Sequence, residues 1–150
     1  MGIRYFAHPV SPRQIDQSRQ CPRACFDGAD AWEHWEPGDE PTLDLDKCYP
    51  ELQWMLGETE TSPARPSYAL VEGAATHTSW GWVAHRRVLD IAEVQFIADD
   101  LDDVVGGAEL SEVGCRFGDR EPHAIENLIK ARDFTRRVAE AGFGVAYSIG

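Results

Sequence analysis

Leu89-Asp90-Ile91-Ala92-Glu93-Val94 is the point where this chain has least choice. Asp90 can accept a hydrogen bond from the third residue of a following helix. Glu93 at that third position can reach back to the Asp90 amide, which completes a capping box. Leu89 before the cap and Val94 after it have the spacing of a hydrophobic staple. A helix therefore starts at Asp90. Its stripe of Val94, Ile97, Ala98, Leu101 and Val104 or Val105 predicts one buried face, and Gly106-Gly107 ends it. Upstream, Val83, His85, Arg87 and Leu89 alternate with Trp82, Ala84, Arg86 and Val88, the period of a strand. Strand then capped helix is the unit of a chain that mixes both classes.

Further elements follow from the same two periods. Ile3 to Ala7 predicts a strand, and Ser11-Pro12 opens a short helix to about Gln20. Asp27 to Thr42 is a loop pinned by Trp32 and Trp35. Tyr49, Leu52 and Leu56 form a helical stripe with Gly57 as a left-handed stop; its start is left open, either capped by Asp44 or Asp46 with a first turn distorted by Pro50, or near Tyr49 with Pro50 at the first helical position. Ser67 to Glu72 predicts a strand, and Gly73 to Gly81 a small-residue loop. A short helical turn fits Glu109 to Val113. Pro122 opens a long helix to Ala141, stopped by Gly142, and Phe143 to Ile149 closes the chain as a strand. The whole predicts one α/β (α+β) domain over residues 1–150, a small mixed sheet flanked by helices. Strand order is left open.

The balance of 26 acidic to 14 basic residues gives a net charge of −12. Nucleic-acid binding needs a basic footprint, and anionic membranes repel such a chain. A basic protein partner is compatible with it. No apolar run is long enough to cross a membrane or to act as a signal, so the expected location is the cytoplasm. Cys21, Cys25, Cys48 and Cys115 are expected to be free thiols. No cofactor or metal is implied, and oligomeric state is left open.

One segment is specific enough to suggest kinship: Leu43-Asp44-Leu45-Asp46-Lys47-Cys48-Tyr49-Pro50-Glu51-Leu52-Gln53-Trp54-Met55-Leu56-Gly57. With the opening Met1-Gly2-Ile3-Arg4-Tyr5-Phe6 and the stretch Trp80 to Leu89 with Val94, it resembles the YfbM-like bacterial family of unknown function. The resemblance spans nearly the whole chain. It implies an α/β domain with helices packed around a sheet, and no known reaction. The chain departs from the family pattern at Gln53, where relatives carry His, and at Pro50, where a polar residue is common.

Four groups of residues carry some chemistry. Asp99, Asp100, Asp102 and Asp103 repel one another at helical i, i+3 and i+4 spacing and sit at the wrong end of a helix dipole. Local stability does not explain them; a basic partner or a cation could, and the plainer alternative is a solvated face with arginines nearby. His77-Thr78-Ser79 with His85 places a hydroxyl beside imidazoles, but no nucleophile elbow or carboxylate accompanies it. Cys21, Cys25 and His34 could supply three zinc ligands at loose spacing, with no fourth. Arg132, Arg136 and Arg137 have Glu126, Asp133 and Glu140 near enough to pair. The leading expectation is a non-catalytic acidic interaction module of inhibitor or immunity type, binding through the four aspartates. The alternative is a small enzyme or ligand-binding protein with a pocket near Gly73 to Trp82, drawing on Tyr5, Trp54, His77, Trp80 and His85.

Overall fold

The computed structural model describes residues 2–20, 34–107 and 121–150. Four strands form the main sheet: β1 (Tyr5–Val10), β2 (Leu43–Asp46), β5 (His85–Leu89) and β6 (Gly144–Ile149), in the order β2-β1-β6-β5. Each pairing is antiparallel, whereas a mixed sheet is expected from the sequence. The α+β class is as expected.

Helices cover one face of this sheet. They are α2 (Tyr49–Leu56), α3 (Ile91–Gly106) and α4 (Glu121–Ala141), which bury a single large core with the sheet. Tyr5, Ala7, Val145, Tyr147 and Ile149 point into it from the two central strands. Val94, Ile97, Ala98, Leu101 and Val104 meet them from α3, and Leu128, Ala131, Phe134 and Val138 from α4. On the opposite face the short helix α1 (Ile15–Gln20) packs Ile15 against Val10, Val88 and Ala146.

The Asp90 boundary forms as the sequence dictates. The Glu93 amide donates to Asp90 at 2.9 Å, and the Asp90 amide donates to Glu93 at 2.8 Å. Both staple residues, Leu89 and Val94, are fully buried. Gly142 takes the left-handed conformation that ends α4, with φ of 71°.

Four further expectations need correction. Leu43–Asp46 is a strand rather than a lead-in to α2: Leu43 and Leu45 face the core while Asp44 and Asp46 face solvent. Asp46 leaves that strand with φ of 46°, and its amide donates to the Asp44 carboxylate at 2.8 Å, a turn that aspartate tolerates well. Gly57 is extended (φ −75°, ψ 178°), not left-handed. A Cβ there would lie 2.5 Å from the Gln53 carbonyl oxygen, so glycine is required for close approach rather than for handedness. Ser67 to Glu72 is not a strand; Pro66–Leu70 forms a 3₁₀ turn. The single strand expected from Trp82 to Leu89 breaks at Ala84. Its first part, β4 (Gly81–Val83), pairs with β3 (Thr76–Thr78) in a separate hairpin, and only the second part joins the main sheet.

The turn expected at Glu109 to Val113, and Cys21, Cys25, Trp32 and Cys115, lie outside the described residues.

Candidate functional site

The 3₁₀ turn and the residues after it form no ladder, so each backbone group needs another partner. Core side chains supply them. Tyr5 donates to the Leu70 carbonyl at 2.8 Å. Tyr147 donates to the carbonyls of Ala69 (3.1 Å) and Glu72 (2.7 Å). The Gln53 amide donates to those of Val71 (2.6 Å) and Gly73 (2.7 Å). Five consecutive carbonyls are thus held by three side chains from β1, β6 and α2. At the start of the turn the Asp100 carboxylate accepts from the Ser67 amide at 3.0 Å and the Ser67 hydroxyl at 2.5 Å, and it pairs with Arg65 at 2.8 Å.

These interactions reveal what several sequence candidates do. Tyr5 and Tyr147 stack at 5.5 Å, and Tyr49 stacks on Tyr5 at 6.5 Å. Burial, and secondarily the neighbouring Tyr147, raises the Tyr5 pKa well above its ordinary value. Burial raises that of Tyr147 too, with Arg87 opposing and Glu72 reinforcing. Both hydroxyls therefore stay protonated and act as donors, not as bases. Gln53 fits the same role. A neutral histidine ring has one N–H to give at a time, whereas this amide satisfies two carbonyls together.

The four aspartates do not form one surface. Asp100 is largely enclosed, its side chain 11% exposed against Arg65. Burial opposes its ionisation, but Ser67 and Arg65 together hold its pKa below the usual carboxylate range. Asp102 pairs with Arg136 of α4, one of the arginines that the sequence places opposite other carboxylates. Asp99 and Asp103 remain exposed. Arg132 pairs with Asp133 as expected, and Arg137 donates to the Asp39 carbonyl. Around the start of α3, Arg19 joins Asp90 and Glu93, and Arg87 joins Glu93 and Glu72.

The residues of the expected pocket do not converge either. Tyr5 is fully buried, while Trp80 at the tip of the β3–β4 hairpin is 97% exposed. His77 pairs edge-on with Trp82 across that hairpin, ring centroids 5.1 Å apart. His85 lies beside Tyr147 and covers Gly73, whose φ of 113° and missing Cβ make room for the ring. Ser79 sits in the hairpin turn, where Thr78 accepts from the Trp80 amide and donates to the Gly81 carbonyl. That turn chemistry accounts for Thr78.

The described residues line at least two shallow concavities. One, of about 900 Å³, lies beside the end of α2 and is lined by Gln53, Trp54, Gly57, Glu58, Glu60 and Tyr68 among others. The other, of about 370 Å³, runs between Thr42 and Arg137. Among the described residues no three His, Cys, Asp or Glu side chains are grouped to hold a metal ion, and no helix is long and apolar enough to cross a membrane.

Among the described residues the most exposed apolar feature is the hairpin itself. Its strands contact each other far more than any other element. It presents Trp80 (97% exposed), Trp82 (64%) and Val83 (50%) to solvent. The sequence shows the tryptophans, but not that the strand leaves the main sheet at Ala84 and carries them away from the body.

Comparison with solved structures places this architecture. The crystal structure of YfbM from Escherichia coli, a protein of unknown function, superposes with a TM-score of 0.59 over 99% of both chains, at 17% sequence identity. The chain has the YfbM fold. That is the fold implied by the Leu43 to Gly57 segment and the Trp80 to Val94 stretch. No family model matches the sequence, and no curated protein matches it. A likeness to YfbM at this identity speaks for architecture alone. Function has to come from the residues described above.

Proposed function

We propose that the protein is a non-catalytic module that binds a basic protein partner, as inhibitor and immunity-type proteins do, with the β3–β4 hairpin at the centre of the contact. The observation that carries this reading is the exposure of Trp80 and Trp82 on a hairpin whose strands pair with each other and not with the main sheet. Tryptophan is enriched among the few residues that dominate binding energy. Exposed apolar clusters on an otherwise well-buried fold mark contact sites. The net charge of −12 selects a basic partner and speeds encounter with it. Asp99 and Asp103 belong to that field, whereas Asp100 and Asp102 have internal partners.

An enzyme built on Tyr5, Trp54, His77, Trp80 and His85 has less support. Tyr5 is an enclosed donor to Leu70, and Trp80 stands in open solvent. No substrate could touch both.

The test is capture from the native host with wild-type protein and with Trp80→Ser/Trp82→Ser. A basic protein retained at low salt, released at high salt and missing from the variant is expected. Identical capture by both proteins would overturn the role of the hairpin, and no salt-sensitive partner in either would overturn the reading as a whole.

A further inference from the structure

The groove beside α2 is built for a positive charge. Its lining includes Glu58 and Glu60, both exposed, and no lysine, arginine or histidine. It lies at the C-terminal end of α2, where the helix dipole is negative and no basic residue occupies the last turn. Two aromatic side chains, Trp54 (47% exposed) and the half-buried Tyr68, also line it. Aromatic faces attract cations through the ring quadrupole. Three sources of negative potential and two aromatic rings therefore meet in one concavity.

This groove is held open in advance. Gly57 lets the chain turn directly off α2, because any Cβ there would meet the Gln53 carbonyl at 2.5 Å and the Tyr68 ring at 3.4 Å. The loop beyond is tied by Thr59. Its amide donates to the Ser62 carbonyl at 2.9 Å, and its hydroxyl accepts from the Ser62 amide at 3.0 Å. The Arg65 amide returns to the Leu56 carbonyl at 2.8 Å and anchors the loop's far end to the helix. A preformed wall lowers the ordering cost of binding.

We propose that this groove receives an extended basic peptide segment, seating an arginine side chain against Trp54 and Tyr68 with Glu58 and Glu60 as counter-charges. The proposal rests on the reading of the protein as a binder of basic partners, and it adds a second contact to the hairpin. Charge complementarity names the occupant: the only charged side chains lining the groove are the carboxylates of Glu58 and Glu60. Arginine suits it better than lysine because its flat, weakly hydrated guanidinium stacks on rings while donating to carboxylates.

The test is a titration at low salt of the full chain with a short blocked peptide alternating arginine and glycine, followed by the Trp54 indole N–H resonance. Its neutral counterpart, with citrulline for arginine, serves as control. A saturable shift with the arginine peptide only is expected, with affinity falling about tenfold in Trp54→Ala and in Glu58→Gln/Glu60→Gln. The exposed Glu58 and Glu60 positions keep the test valid if Trp54→Ala is unstable. Binding should persist in Trp80→Ser/Trp82→Ser. No saturable shift, an equal shift with the citrulline peptide, or unchanged affinity in Glu58→Gln/Glu60→Gln would overturn the groove proposal. Tighter binding of spermidine than of the peptide would overturn it in favour of a free polyamine. Failure here with hairpin-dependent capture intact would remove the groove alone. Absence of any salt-sensitive partner captured by the wild-type protein would remove the parent reading, whatever the peptide does.

Discussion

Residues 66–73 and 74–83 are neighbours in the chain and opposites in physics. The first stretch has no ladder, yet Tyr5, Gln53, Tyr147 and Asp100 hold its backbone. The second has its own ladder, yet its Trp80 and Trp82 project from the body. The polar side chains that look chemical in the sequence are engaged in architecture. The apolar side chains that look structural are outside. The contrast warns against reading polar clusters as sites before asking which backbone groups need partners.

That contrast can be broken by mutation. The largest effect is expected at Asp100. Asp100→Ala leaves Arg65 and Ser67 without their acceptor, and loss of one partner of an enclosed ion pair costs about 3 kcal/mol. Chemical denaturation measures it, and a cost near zero would return Asp100 to the surface patch. The pH dependence has a definite sign. The folded-state pKa of Asp100 is depressed, so its contribution is present above the unfolded value of about 3.9 and fades as pH falls through the folded value. The variant should lack that part of the acid-induced loss of stability.

Tyr147→Phe comes next. It strips the donor from two enclosed carbonyls, Ala69 and Glu72, at about 2 kcal/mol. Thermal unfolding checks this, and an unchanged melting temperature would mean that water replaces the hydroxyl. Asp90→Ala should cost about 1 kcal/mol through loss of the helix cap. Smaller and opposite in sign, Asp99→Asn with Asp103→Asn should stabilise by about 0.5 kcal/mol, since Asp103 sits in the last turn of α3 and repels Asp99 at i, i+4. Neutralising all four aspartates together would mix these opposing effects.

Legibility followed the range of the interactions. The Asp90 boundary was readable because cap, box and staple lie within six residues. The Gly142 stop at the end of α4 was readable for the same reason. Residues 66–73 were not, because their conformation is set by residues far away in sequence, at positions 5, 53, 100 and 147. Pro66 after Arg65 was a local hint of a helical turn, outweighed by the apolar alternation that follows. The short strand β2 shows its alternation plainly in Leu-Asp-Leu-Asp, but a run of four also fits the approach to a capped helix. Tyr147 was legible as a core strand residue. That its hydroxyl must find a partner was also inferable, since a buried tyrosine seldom leaves its tip unpaired. Which carbonyls it would serve was not.

The most direct measurement pairs two readouts on one variant, Trp80→Ser/Trp82→Ser. Exposed positions outside the core change stability by no more than about 0.5 kcal/mol. The melting temperature should therefore stay within about 3 °C of wild type while the basic partner is lost. A fall of many degrees with the partner retained would contradict this, and would make the hairpin a structural element rather than a binding one.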